Sequence, residues 1–210
     1  MTVTEIALLH LSPEFTIDDT NLRSKLVHAK NVMQSYTDRT FYYLQQVEDP
    51  TYIYIIGEWD SLDQHMNEFI PSADNQALLK SLRGLLSVDW LLHIDALHAD
   101  LPLPGAGTTK QKAPVYAIGR HFIKNDQREQ FQQAFDVGKL QLRDFVTEGK
   151  IGGGWRIDKE GDKDEWVLLT PWTSVEQHYA FAETDGFAKY CNIQEHIEGA
   201  EIKHARVLHI

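Results

Sequence analysis

The chain has 210 residues, 42% of them hydrophobic and 24% charged, with a formal charge of −11 at neutral pH, the profile of an ordinary globular protein of one large or two small domains. Acidity on this scale works against phosphate backbones and anionic lipid, so no nucleic acid and no membrane is expected as a partner. Cys191 is the only cysteine, which excludes an internal disulfide and a thiolate metal cluster; residues 1–19 lack a signal-peptide pattern, no run reaches a membrane span, and a cytoplasmic location is the expectation.

In chain order, residues 4–11 are a short apolar run and predict a strand. Residues 18–36 open with Asp18 and Asp19 and carry Leu22, Leu26, Ala29 and Met33 at helical spacing. Two β-rich runs follow, "TFYYLQQ" (40–46) and "YIYIIGEW" (52–59), separated by the hairpin signal "VEDPT". The heptad "WDSLDQH" (59–65) leads into a second helix, and a strand over 87–97 closes the series. The series then recurs. "AIGRHF" (117–122) sits over "IALLHL" (6–11), aligning His121 with His10. A helix over roughly 125–147 carries Phe131, Ala134, Phe135 and Phe145. "GKIGGGWRI" and "EWVLLTPW" flank the turn "DKEGDKD", and the heptad returns as "WTSVEQH" (172–178). "VLHI" (207–210) sits over "LLHI" (91–94), aligning His209 with His93 in a last strand over 200–210. Between the copies, "HADLPLPGAGTTKQKAP" (98–114) has linker composition. The expected organisation is a first repeat over 1–100, a linker over 101–113 and a second repeat over 114–210.

The order β-α-β-β-α-β, twice, is the split βαβ, ferredoxin-like unit. Helices cover one sheet face and leave the other in need of a partner. The expected fold class is therefore α+β, two fused ferredoxin-like repeats forming an eight-stranded dimeric α+β barrel within one chain, with a small ligand held between the sheets.

Much of the repeated heptad has a structural explanation. Ser61 with Gln64, and Ser174 with Gln177, read as capping boxes in which the glutamine reaches back to the serine's own N–H. Asp63 and Glu176 suit the positive end of a helix dipole. Trp59 and Trp172 either anchor the strand-to-helix corner or line a ligand cavity. His65 and His178 fall in the first helical turn, where the dipole favours a neutral imidazole able to accept a proton, though a satisfied core histidine fits the same position. In the closing strand, alternation groups Leu91, His93 and Asp95 on one face and Trp90, Leu92, Ile94 and Ala96 on the other. With the apolar set against the helices, His93 and Asp95 turn toward the inter-sheet space. His10 and His121, inside apolar strands, read as buried and hydrogen-bonded. The glycines at 152–154 lack the Lys-Ser/Thr of a phosphate loop and mark a bulge, a bend or a close backbone approach; set against "FYYLQQ", they suggest cavities of unequal size. No nucleophile motif and no ligand series is present, so no metal is expected.

A unit of about 95 residues with "GEWDSLDQHMNEF" at the strand-to-helix junction and "VDWLLHIDA" in its last strand resembles the antibiotic-biosynthesis-monooxygenase (ABM) group of the dimeric α+β barrel superfamily, in its tandem form. The resemblance covers nearly the whole chain, one unit per half. It implies a cavity in each half and a cofactor-independent monooxygenase that uses O2 on an aromatic, polyketide-type small molecule in secondary metabolism, with no cofactor; further pairing to a homodimer is left open. The candidate catalytic residues are His65 or His178 as base and His93 as peroxide partner. Trp59, Trp172 and Tyr54 would form an apolar wall, with His10 and His121 as further substrate-binding candidates. Haem-binding relatives carry a histidine about nine residues after the junction tryptophan; here Glu68 and Phe181 stand there, so haem degradation is not expected. A polyketide cyclase of the same fold and a non-catalytic, small-molecule-binding or stress-related barrel are the alternative readings.

Overall fold

A computed structural model describes residues 1–104, 114–159, 161 and 163–210; residues 105–113 of the expected linker lie outside the described residues. The chain forms two compact units, Met1–Leu97 together with Val207–Ile210, and His98–Arg206.

The first unit contains β1 (Val3–Leu11), α1 (Thr20–Thr37), β2 (Tyr42–Gln46), β3 (Tyr52–Trp59), a π-helical turn (Gln64–Phe69), α2 (Ala73–Leu82) and β4 (Leu86–Ile94). The strands are antiparallel in the order β4-β1-β3-β2. Asp19 caps α1 by accepting from the Leu22 amide at 2.8 Å, and the helix buries the Leu22, Leu26, Ala29 and Met33 stripe, as its spacing predicts. At the junction the Gln64 amide donates to Ser61 Oγ at 3.0 Å. The glutamine side chain reaches one residue further back than a capping box requires: its Oε1 accepts from the Asp60 N–H at 2.9 Å. The second unit repeats this shift, with Gln177 Oε1 accepting from the Thr173 N–H at 2.7 Å.

The expected facing of β4 is corrected. His93, grouped with Leu91, points to the helices rather than away from them, and bonds to His65. Polarity could not decide the face, because Leu92, His93 and Ile94 are all buried. A bulge opposite Leu8 and Leu9 shifts the register by one residue, so that Val88 and Leu91 both line the helix side. Asp95 is exposed.

The second unit contains β5 (Val115–Ile123), α3 (Arg128–Phe145), β6 (Gly152–Trp155), β7 (Glu165–Trp172), α4 (Val175–Phe181), α5 (Asp185–Tyr190), a 3-10 turn (Cys191–His196) and β8 (Ile197–Val207), whose last residue falls in the first unit. Its strand order, β8-β5-β7-β6, matches the first. Phe131, Phe135, Trp155, Trp166, Trp172 and Phe181 dominate its core. A Cβ on Gly153 would lie 2.2 Å from the Val167 carbonyl oxygen, and one on Gly152 2.2 Å from that of Asp100. These glycines therefore serve close backbone approach.

Register corrects two repeat alignments. Val3 pairs with Trp59 and Val115 with Trp172, so the counterpart of His121 is Leu9, not His10. A slip of one residue turns a side chain to the other face, and the two histidines do lie on opposite faces of their sheets. Glu5 pairs with His93 and Ala117 with His204; the counterpart of His93 is therefore His204. His209 lies beyond β8, exposed, and its carbonyl accepts from Arg23 in the first unit at 2.8 Å.

Candidate active site

Each unit encloses an apolar cavity between its helices and its own sheet, rather than between two sheets. The volumes are about 230 Å³ in the first unit and 250 Å³ in the second, so the expected inequality of size is absent. They differ in chemistry instead.

In the first unit, alternation along β1 brings Glu5, Ala7 and Leu9 to the cavity, which α1 and α2 close with Leu26, Met33 and Leu78. Glu5 is the only carboxylate in its lining. Its Oε2 accepts from Trp59 Nε1 at 2.7 Å and lies 3.8 Å from His65 Nδ1. His65 Nδ1 and His93 Nε2 are 2.7 Å apart, one of them donating. The Trp59 indole stacks on the His65 ring at 4.0 Å and 6°, fixing its plane. Burial pushes the Glu5 carboxyl up to about 7; the Trp59 hydrogen bond and the nearby His93 pull it down by less. Asn75 and, from β2, Tyr43 complete the polar lining. The Tyr43 hydroxyl is buried with no hydrogen-bond partner among the described residues, and burial, together with the Glu5 charge, drives its pKa well above the ordinary phenol value.

The turn that carries His65 is unusual. Ile70 N donates to His65 O at 2.9 Å, an i→i+5 bond that makes room for one extra residue. His65 and buried Phe69 are thus four apart, where His178 and buried Phe181 in the α-helical second copy are three apart. Such π-bulges recur at functional sites.

The second cavity keeps the imidazole pair, with His178 Nδ1 and His204 Nε2 at 2.7 Å and Trp172 stacked on His178 at 4.5 Å. The carboxylate is gone. Ala117 stands where Glu5 would, and Trp172 Nε1 donates instead to Thr170 Oγ1 at 2.7 Å. Gly153, paired with Leu168 as Tyr43 is with Ile55, replaces the tyrosine. His121 does line this cavity; burial lowers its pKa, opposed by its bond to the Trp166 carbonyl.

Of the residues expected from sequence, His65, His121, His178 and Trp172 line a cavity, and His93 backs His65. Trp59 is buried beneath His65 and bonded to Glu5. Tyr54 is on the opposite face of β3 from cavity-lining Ile55, accepting from Gln46 Nε2 at 3.1 Å and packing edge-on to Trp90. His10 stacks on Tyr52 at 4.4 Å, also away from the cavity. Glu5, Tyr43 and His204 were not anticipated. A lone carboxylate inside the apolar run "VTEIALLHL" was the available signal for Glu5, since an unpaired charge is rarely tolerated there without a role.

Among the described residues, no group of three or more His, Cys, Asp or Glu is arranged to hold a metal ion, and no helix is long and apolar enough to cross a membrane. Glu68 is exposed and Phe181 buried.

No family model matches the chain, and no curated protein matches it. Solved structures do. A provisionally assigned monooxygenase of Fusobacterium nucleatum is 12% identical, with a TM-score of 0.66 over 99% of this chain and 93% of that one. A second, from Lactobacillus acidophilus, is 13% identical, with a TM-score of 0.62 over 99% of both chains. An anthrone oxidase-like protein is 11% identical, with a TM-score of 0.63 over 99% of this chain and 92% of its own. At such identities the likeness is one of fold alone, that of two ferredoxin-like repeats in one chain.

Proposed function

We propose that the protein is an ABM-like, cofactor-independent monooxygenase that activates a small aromatic molecule in the cavity of its first unit. The observation that carries this reading is the buried Glu5, its carboxyl poised near 7, set against the His65–His93 pair at the wall of an apolar cavity. A general base works best when its pKa lies near the operating pH. The reading also draws support from neighbours of the same fold named as monooxygenase and anthrone oxidase-like.

In the proposed reaction the Glu5 carboxylate removes the acidic proton of an anthrone- or phenol-type substrate and holds it as a neutral carboxylic acid beside the His65–His93 pair. The resulting carbanion passes one electron to O2. The radical and superoxide then combine, forming the C–O bond, and the peroxide takes back a proton. Loss of water leaves a carbonyl at the oxidised carbon, one oxygen atom going to product and one to water. The protein's part is a dry cavity, a tuned base and a proton store. An aromatic, polyketide-type substrate and a place in secondary metabolism belong to the same proposal. The second unit, with Ala117 and Gly153 at the positions of Glu5 and Tyr43, keeps the imidazole pair but lacks the base.

Oxygen consumption with an anthrone tests this, using protein stripped of metal and flavin. Uptake is expected, and Glu5→Gln should slow it by about 10²–10⁴-fold, the range for loss of a general base. Uptake that follows added metal would overturn the cofactor-free route. Product formed without O2 would mean a cyclase using the same base to make an enolate.

A further inference from the structure

Besides His65, the polar side chains bordering the first cavity are Glu5, Tyr43 and Asn75. Glu5 is bonded to Trp59, and the Tyr43 hydroxyl has no exposed surface. Asn75 differs from both. It sits in the first turn of α2, where Ser72 Oγ accepts from the Asn75 amide at 3.2 Å. Its side chain folds back over the junction with the π-helical turn, and Nδ2 donates to the Ile70 carbonyl at 2.8 Å. A carbonyl only accepts, so this bond fixes which end of the side-chain amide is which. Oδ1 is the polar atom left over. The residue is 6% exposed and lines the cavity, no described residue donates to Oδ1, and the atom is not walled in as Tyr43 Oη is. A buried acceptor without a donor costs free energy, and native proteins keep few of them. The second unit shows the same cap without the amide. Thr184 Oγ1 accepts from the Phe187 amide at 3.1 Å, so Thr184 corresponds to Ser72 and Phe187 to Asn75. Phe187 lines the second cavity. Capping and packing are thus met there by an apolar residue, and the amide answers to something else.

We infer that Asn75 is a specificity-determining residue of the first cavity, its Oδ1 accepting from an N–H or O–H donor on the ligand, a second polar group distinct from the proton that Glu5 takes. Glu5 reaches the cavity from β1 and Asn75 from α2, so a ligand that meets both carries one polar group toward the sheet and another toward the helices. Its apolar body lies against Leu26, Met33 and Ile55. A ligand with an ether or a methyl at the helix-facing place leaves Oδ1 unserved and is disfavoured. The second cavity, with Phe187 at that place, makes no such choice. The inference rests on the reading of the first cavity as a substrate site, and adds a requirement that proton abstraction alone does not impose.

The test is a calorimetric titration of the full-length chain with 1-aminonaphthalene and with 1-methylnaphthalene, probes of similar shape of which only the first donates a hydrogen bond. The wild type should bind the amine more tightly. Asn75→Leu should weaken the amine about 3- to 10-fold, the worth of one hydrogen bond, and leave 1-methylnaphthalene unchanged. Asn75→Ala takes its place if the leucine variant fails to fold. In either, the Ile70 carbonyl stays bonded through Gln76 Nε2 at 3.0 Å. A merely structural asparagine would lower the melting midpoint and weaken both probes together. 1-Naphthol, titrated in parallel, separates the two donors: whichever of amine and naphthol loses more on Asn75→Leu carries the preferred one. No preference for a donor in the wild type, or a preference that survives Asn75→Leu, overturns the inference. A preference abolished by Asn75→Leu, in a protein that takes up no oxygen with an anthrone, upholds Asn75 as the contact and removes the oxygenase reading alone.

Discussion

Glu5 is held among Trp59, His65 and His93 with almost no access to solvent, and its proton affinity therefore depends on the fold. Its carboxyl rises from an ordinary value near 4.5 to about 7, chiefly through burial. A folded-state pKa above the unfolded one means that the folded protein binds more protons between those values. Stability is thus greatest below about pH 4.5 as far as this group is concerned, and is lost as pH rises through about 7, by at most about 3 kcal/mol. Denaturant melts across that window should show the slope, and Glu5→Gln should flatten it. On the proposed mechanism the sign is opposite for turnover, which would need the carboxylate and rise through pH 7. None of this was legible by position. Pattern marks Tyr43 only as part of the core and sets Glu5 apart only as a lone carboxylate in an apolar run, and cavity walls cannot be told from packed core without tertiary contacts. The histidines were legible because the heptad spells them twice, yet His204 was hidden by an alignment that chose His209.

At the scale of elements, period and capping residues were enough to find the helices and strands, because each unit buries its stripes and strands in the ordinary way. The π-helical turn was not. It differs from its α-helical twin by a single residue between His65 and Phe69, and no local propensity announces it. The turn sets where His65 sits relative to Glu5 and Trp59. Deleting exposed Asn67, so that the spacing becomes that of His178 and Phe181, should preserve helical content and the melting midpoint within a few degrees while cutting oxygenase turnover about 10- to 100-fold, since misplacing a reacting group by an ångström has effects of that size. Circular dichroism and oxygen uptake on the same preparation check it. The facing of β4 failed for a related reason: with both faces buried, polarity carries no directional information.

At the scale of the whole chain, duplication was the most legible feature, and the fold followed from it. What duplication concealed is divergence. The two cavities have nearly the same volume and the same imidazole pair, but only the first has a carboxylate in its lining. The units also do not divide the chain in sequence order. Val207–Ile210 belongs to the first, where the Leu208 amide donates to the Tyr43 carbonyl at 2.8 Å. Removing residues 207–210 should lower the melting midpoint by about 2–4 °C, as expected for one lost backbone bond, and should impair ligand binding in the first cavity, which a scanning calorimetry and titration series would register.

That tail has a consequence in time. The strand that carries Tyr43 gains its bond to Leu208 from a segment synthesised about 110 residues after Leu97, which at about 5–20 residues per second is a wait of roughly 5–20 seconds. During synthesis the first unit stays incomplete through the whole making of the second. The unit holding the buried carboxylate is thus the earlier to be encoded and the later to be finished.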